Sequence, residues 1–294
     1  MPELDRLLED PRLVAFWDFN EEAGNQRRAR VGRGAFPLNE INGAVATIDD
    51  APLGGRAVTF DNDAYLGLPN AKAGDLDISG PDAAVSMFAV VRMRKVARGG
   101  TVAGMWYEGL GPGDDSGTRQ YALLLDMNLY GGAKRVTPHV SSEGGATRRA
   151  DGSLLPWCVD YAATVEEYPA DRWCTMGMTY DGTTITAFLD GVAEPRTVDP
   201  EADNRADPYF TNEGPSAGHR GINPFHHGRG IFRYDPVKHA ETKPAGPSDF
   251  VVGARCVRGR HGAEPLDGAL AGLAVFDASL TPEEMLALHR ASLT

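Results

Sequence analysis

Thr137, His139 and Ser141 alternate along the run VTPHVSS, so in an extended chain their side chains share one face while Pro138 and Val140 take the other. Hydroxyls and an imidazole on one strand face can hydrogen-bond the hydroxyls of a sugar, and His139 can also act as a general base near neutral pH. The same pattern also describes an exposed strand face with a solvated histidine. Arg119 and Tyr121 stand two apart and share a face as well. With His139 they form a candidate catalytic set for β-elimination. Arg119 would neutralise a uronate carboxylate while Tyr121 or His139 takes the C5 proton. Against that, Leu123 and Leu125 continue the face of Tyr121, which is the pattern of a tyrosine turned into a core.

Trp106 and Glu108 also share a face, and with Trp157 and Tyr161 they offer ring platforms and an acid to a sugar. Aromatic residues fill cores too, as expected of Trp17 and Trp173. Tyr209, Arg220, His226 and His227 crowd one long polar segment together with His219, Arg229 and His239. His226 and His227 are adjacent and point to opposite faces of a strand, so zinc or iron ligation would need His219 or His239 brought in from a distance. Substrate contacts from the segment are the favoured reading.

These residues must be positioned by sheet. Trp173 to Gly191 reads WCTMGMTYDGTTITAFLDG. Asp181-Gly182 predicts a two-residue hairpin, since Gly adopts positive φ freely and Asp tolerates it. Ile185, Ala187 and Leu189 line one face before Asp190-Gly191 turns the chain again. Further strands are predicted at Leu13–Phe19, Ala44–Ile48, Ala57–Phe60, Tyr65–Leu68, Ala84–Met93, Thr101–Trp106, Arg119–Asp126, Val136–Ser141, Phe250–Val257 and Leu266–Phe276. Residues 20–43, polar and broken by glycine, predict an ordered loop. Thr281-Pro282-Glu283-Glu284 is a capping box that opens a closing helix, with Leu280 and Met285 placed for a hydrophobic staple. The pattern is that of an all-β, two-sheet antiparallel sandwich in one domain, residues 1–294. Two excursions, at about 106–170 and 199–248, interrupt it, and long loops of this kind are usually functional.

The chain has 294 residues, 35 of them Gly and 20 Pro, and is long enough to bury a core without disulfide or metal support. With 29 Lys plus Arg against 41 Asp plus Glu, its net charge is −12, which repels nucleic-acid phosphates. No apolar window approaches membrane-spanning length, so no membrane partner is expected. The N-terminus carries no secretory pattern, which predicts a cytoplasmic protein as written, or a secreted one if the chain has been trimmed. Cys158, Cys174 and Cys256 are an odd set without zinc spacing, and reduced structural thiols are expected. Cys158 and Cys174 could pair only in an oxidising compartment.

Five segments in order resemble the laminin-G-like branch of the concanavalin A-like lectin/glucanase superfamily. They are VAFWDFNEEAG, AVTFDNDAYLGLP, AVSMFAVVRM, the hairpin above, and DFVVGARC with LDGALAGLAVFDASLTPEEMLAL. The resemblance covers roughly half the chain and implies a jelly roll with one concave sheet. Folds of this kind host lectins, adhesive modules, glycoside hydrolases and polysaccharide lyases. The glucanase-type strand of alternating acids is absent, as are the alginate-lyase-type strand motifs. Laminin-G-like domains often hold a structural Ca2+ at a rim, for which Asp18, Asp61, Asp63, Asp267 and Asp277 sit at strand ends, where Asp is also the ordinary turn residue. No other cofactor is expected, and nothing sets an oligomeric state.

The expectation is therefore a carbohydrate-recognising jelly roll that binds an oligo- or polysaccharide on its concave sheet. The alternatives are a polysaccharide lyase or glycoside hydrolase with His139 as general base, and a protein-interaction module.

Overall fold

Alternating apolar and polar residues in short runs, separated by glycine and proline, leave two sheets to bury one face each against the other. A computed structural model describes residues 4, 8–21, 24, 26–60, 63–95, 100–127, 132–148, 152–197, 221–257 and 259–293. The strands before the first long loop are β1 (Leu13–Trp17), β2 (Gln26–Arg27), β3 (Val31–Gly32), β4 (Leu38–Ile41), β5 (Ala46–Ala51), β6 (Gly55–Phe60), β7 (Tyr65–Leu68), β8 (Val85–Met93) and β9 (Gly100–Met105). Next come β10 (Tyr121–Met127), β11 (Gly132–Val136), β12 (His139–Val140), β13 (Trp173–Tyr180), β14 (Thr184–Leu189) and β15 (Phe225–His226). A short helix α1 (Pro236–His239) precedes β16 (Phe250–Val252), β17 (Arg255–Val257), β18 (Arg260–Ala263), β19 (Gly268–Phe276) and the closing helix α2 (Pro282–Leu293).

The first sheet runs β15-β14-β13-β8-β19-β1-β3, with β6 also on β19 and β5 on β6. The second runs β11-β10-β9-β16-β7-β4-β2, with β12 beside β10. β17 and β18 pair only with each other. The two large sheets are antiparallel and form the expected jelly-roll sandwich. Strand β8 shows why they stack. Val85, Met87, Ala89, Val91 and Met93 all enter the core between the sheets, while Phe88 and Val90 face outward under α2. Trp17 on β1 stacks on Phe250 of β16 across the core, with ring centroids 5.6 Å apart, and its indole N–H donates to the Phe36 carbonyl at 3.1 Å. The capping box forms as expected: Thr281 N–H donates to Glu284 Oε2 at 2.7 Å and Glu284 N–H to Thr281 Oγ1 at 3.2 Å. Leu280 and Met285 join one outer cluster, completing the staple.

Three expectations change. Residues 20–43 are not only loop, because β2, β3 and β4 lie within them. β2 and β3 are two-residue strands at sheet edges and β4 is only four residues long, too short to show an alternation to read. The segment Phe250–Val257 divides into β16 and β17 around Gly253, whose φ is +85°. The third change concerns the hairpin. Tyr180 closes on Ile185, so residues 181–184 form the connection, and Asp181 Oδ1 caps it by accepting from Thr183 N–H at 2.8 Å and Thr184 N–H at 2.6 Å. The two-residue turn falls instead at Asp190-Gly191, with φ of +50° and +75°, where Leu189 and Val192 exchange both backbone bonds at 3.0 Å.

The first excursion is a packed layer. Leu155, Val159, Tyr161, Ala162 and Ala163 are fully buried, and Tyr161 bridges to His139 of β12. The described part of the second excursion is tied to the first. Asp160 accepts from Thr147 Oγ1 at 3.0 Å and from Arg229 Nη2 at 2.5 Å. The buried Lys243 Nζ donates to the Gly117 carbonyl at 2.9 Å and to the Asp115 carbonyl, pinning the loop before β10.

Candidate functional site

Alternation along β9 and β10 sends Met105, Tyr121, Leu123 and Leu125 into the sandwich core. Trp106, Ala122 and Leu124 go to the opposite, outer face of the second sheet, where they pack with Cys158 of the first excursion. Glu108, two residues beyond Trp106, meets a ring of donors there. Its Oε1 accepts from the Trp106 indole N–H at 2.7 Å, and its Oε2 accepts from Arg119 Nη2 at 2.6 Å and Nε at 3.0 Å. Arg255 Nε lies 3.3 Å from Oε1, and the other end of that guanidinium is ion-paired with Glu264. Burial opposes ionisation of Glu108, but the Arg119 and Arg255 charges and the bonds from Trp106 and Arg119 outweigh it and hold the carboxyl down at about 2. Glu108 is therefore a fixed anion.

His139 lies beside this group, stacked on Tyr161 at 4.7 Å and edge-to-face with Trp106 at 5.6 Å. Its Nδ1 is 2.7 Å from the Thr137 carbonyl. A carbonyl only accepts, so Nδ1 carries the proton and Nε2 presents a lone pair. Burial pushes the imidazole down to about 4, so the ring is neutral at physiological pH. Nε2 is buried and has no hydrogen-bond partner among the described residues.

A cleft of about 570 Å³ opens here, lined by Glu108, His139, Trp157, Cys158, Arg255, Arg260 and Glu264, with Met127 and Val257. Its size and its mix of aromatic and converging polar groups suit a small ligand. The wall formed by the first excursion is held by Asp160, and His227 sits behind it with Nδ1 3.8 Å from Asp160 Oδ2.

Of the expected catalytic residues, His139 and Arg119 are brought to Glu108, with Arg119 fully buried behind it. Tyr121 is not. It faces the core, its hydroxyl donates to the Leu76 carbonyl at 2.7 Å, and burial raises its phenol far above the usual range, so it takes no part in proton transfer. Thr137 and Ser141 are also buried, and Ser141 Oγ caps the backbone N–H of Gly144 at 3.0 Å. Of the expected substrate contacts, Glu108 and Trp157 line the cleft, while Tyr161 lies beneath the His139 ring and Trp106 supports Glu108. His226 belongs to β15 at the edge of the first sheet, and His227 is fully buried at the side chain, so neither lines the cleft. Tyr209, Arg220 and His219 lie outside the described residues. So does Asp61; the other rim carboxylates, Asp18, Asp63, Asp267 and Asp277, are each ion-paired with Arg or Lys. Among the described residues no three His, Cys, Asp or Glu side chains converge as metal ligands. The three cysteines are free and buried.

Arg255 and Glu264 were not foreseen. The one signal in the sequence was a lone Arg inside the apolar run FVVGARCV, which has to find a buried anion.

No family model matches this chain, and no curated protein does. Among solved structures, domain 4 of AbnA, a GH43 extracellular arabinanase from Geobacillus stearothermophilus in complex with arabinotriose, is similar at 13% identity and TM-score 0.50, covering 94% of this chain and 98% of that one. At that identity the likeness establishes the sandwich fold alone. The Trypanosoma rangeli sialidase in complex with the inhibitor DANA has 12% identity and TM-score 0.49, with this chain spanning 36% of its length. The binding domain of botulinum neurotoxin DC in complex with SialylT has 6% identity and TM-score 0.44, with 52% of its length covered.

Proposed function

We propose that this protein is a laminin-G-like carbohydrate-binding module that holds a neutral oligosaccharide in the Glu108–His139–Trp157 cleft and does not turn it over. The observation that carries this reading is the neutral His139 Nε2, a buried acceptor without a partner among the described residues, at a cleft that also presents an indole. A buried acceptor left unpaired is costly, by roughly 1–3 kcal/mol, and a ligand hydroxyl removes that cost once a side-chain shift at the cleft floor opens Nε2 to it. Trp157 offers its ring to the apolar face of the same sugar. The arabinotriose held by the AbnA domain makes arabino-oligosaccharides the first probes to try.

Turnover is disfavoured by the states of the groups. The common two-carboxyl route of glycoside hydrolysis needs one carboxyl protonated beside a second one, and Glu108 is fixed as an anion between two guanidiniums. For β-elimination, a histidine held down to about 4 is a weak base, and Tyr121 is in the core. No cofactor is needed for binding of this kind.

An array of neutral and uronate-containing oligosaccharides, followed by titration calorimetry, tests the proposal. The expected result is binding of a neutral glycan that weakens about ten-fold or more in Trp157→Ala and in His139→Ala, since losing one good contact is worth about 1.4 kcal/mol. Neither new reducing ends nor the ultraviolet absorbance of an unsaturated product should appear. Product formation, or undiminished binding in both variants, would sink it.

A further inference from the structure

A second hollow, of about 260 Å³, lies on the outer face of the same sheet and is lined by Tyr65, Trp106, Tyr107, Asp249, Cys256 and His261. The β17–β18 hairpin separates it from the cleft. Arg255, Val257, Arg260 and Ala263 line the cleft, whereas Cys256, Gly259 and His261 line the hollow. Alternation within one ribbon thus furnishes a wall to each side. Trp106 lies between them. Its ring meets His139 of the cleft edge-on and also lines the hollow.

The chemistry of the hollow matches that of the cleft. Tyr65 is 4% exposed, and its hydroxyl makes no hydrogen bond among the described residues. Its phenol is pushed up to about 12 by burial, so at neutral pH it keeps its proton and can donate. Tyr107 is half-buried and its ring lines the hollow, which provides an aromatic surface beside an unpartnered hydroxyl. His261 and Asp249 add exposed polar groups at the rim.

We propose that this hollow is a second carbohydrate subsite, with Tyr107 stacking on a sugar ring and the Tyr65 hydroxyl hydrogen-bonding it, so that one oligosaccharide engages both sides of the β17–β18 hairpin. The inference rests on the cleft being a carbohydrate site. The β17–β18 ribbon and the Trp106 indole stand between the two, so only a ligand long enough to pass around the ribbon reaches both. A short ligand occupies one subsite. A longer one gains the second contact intramolecularly, and its affinity rises without any new site being made.

The test is a length series. Arabino-oligosaccharides and cello-oligosaccharides of increasing length are titrated into the wild type, Tyr107→Ala, Tyr65→Phe and Trp157→Ala. Tyr65→Phe keeps the buried ring and removes only the hydroxyl, so it guards against a variant that fails to fold. The expected result is an affinity that rises about ten-fold or more with length in the wild type. That rise should flatten in Tyr107→Ala and shrink in Tyr65→Phe, while the shortest bound ligand is held as well as before. An affinity independent of length, with both tyrosine variants matching the wild type and Trp157→Ala alone weakened, overturns the second subsite and leaves the cleft reading standing. Absence of binding by either series, and by every glycan on the array, overturns both.

Discussion

Glu108 is the residue on which the cleft's geometry depends. It is 8% exposed and takes bonds or charge from Trp106, Arg119 and Arg255 at once. Removing the carboxylate leaves the buried Arg119 without its carboxylate partner and takes one of two from Arg255, and breaking a buried pair in this way costs roughly 3–5 kcal/mol. The sign of the pH effect follows from the direction of the shift. Glu108 is held down from its ordinary 4.5 to about 2, so its stabilisation is complete above pH 4.5 and is lost as pH falls towards 2. In urea unfolding, the stability gap between the wild type and Glu108→Gln should be widest near neutrality, at about 3 kcal/mol or more, and should close below pH 4.5. His227, held down to about 4 by burial, also loses stability in acid, but it is common to both proteins and cancels in the difference. His139, likewise held down to about 4, is raised in part by the Glu108 charge, so the variant holds it lower still and its loss of stability in acid is larger. A gap that stays constant down to pH 3 would mean that the carboxylate is not held as an anion. The sequence placed Trp106, Glu108, Arg119 and His139 among the candidates because each lies within one or two strands, where alternation reveals a shared face. Arg255 and Glu264 enter from a hairpin far along the chain, and no local pattern pairs them with Glu108.

At the scale of elements, two identical dipeptides behave differently. Asp181-Gly182 and Asp190-Gly191 are equivalent to any local rule, yet only the second closes a two-residue turn. The register that decides this is set by β8 and β15 on either side of the hairpin, and that information is not in the turn. A Cβ at Gly182 would meet nothing closer than the Ala83 carbonyl at 3.9 Å, so Gly182→Ala should cost only the backbone strain of positive φ, about 1 kcal/mol. A Cβ at Gly191 would lie 2.8 Å from His289 Cβ and 2.9 Å from Leu286 Cα of α2. Gly191→Ala therefore adds overpacking to strain and should cost about 2–4 kcal/mol. Urea midpoints of the two variants check this, and equal losses would mean that α2 does not seat on the turn. Strands with clean apolar alternation, such as β8, and the capping box of α2 were legible because their causes lie within a few residues. The first excursion was not, because its packing comes from covering the outer faces of β9 and β10, a tertiary fact.

For the whole molecule, charge separates the ligand classes that fold alone leaves together. The chain carries a net charge of −12, which opposes the approach of an anionic polysaccharide. The cleft does not reverse this field, since its positive groups are already engaged. Arg119 and Arg255 face Glu108 and Glu264, and Arg260 pairs with Asp63 at 3.3 Å. A uronate would have to displace one of these partners and would be bound mainly through charge, whereas a neutral sugar held as proposed would use the imidazole lone pair and the indole, neither of which is ionic. The two cases respond oppositely to salt. Raising NaCl from about 0.05 M to about 0.5 M shortens the screening length several-fold. The affinity for a neutral glycan should stay within about two-fold across that range, since no charge pair forms or breaks on binding. It should also stay flat between about pH 5 and pH 8, because His139 remains neutral and Glu108 remains ionised throughout. Affinity that falls steeply with salt would mean instead that an acidic sugar opens the Arg255–Glu264 pair, and Glu264→Gln would then bind that sugar more tightly than the wild type does.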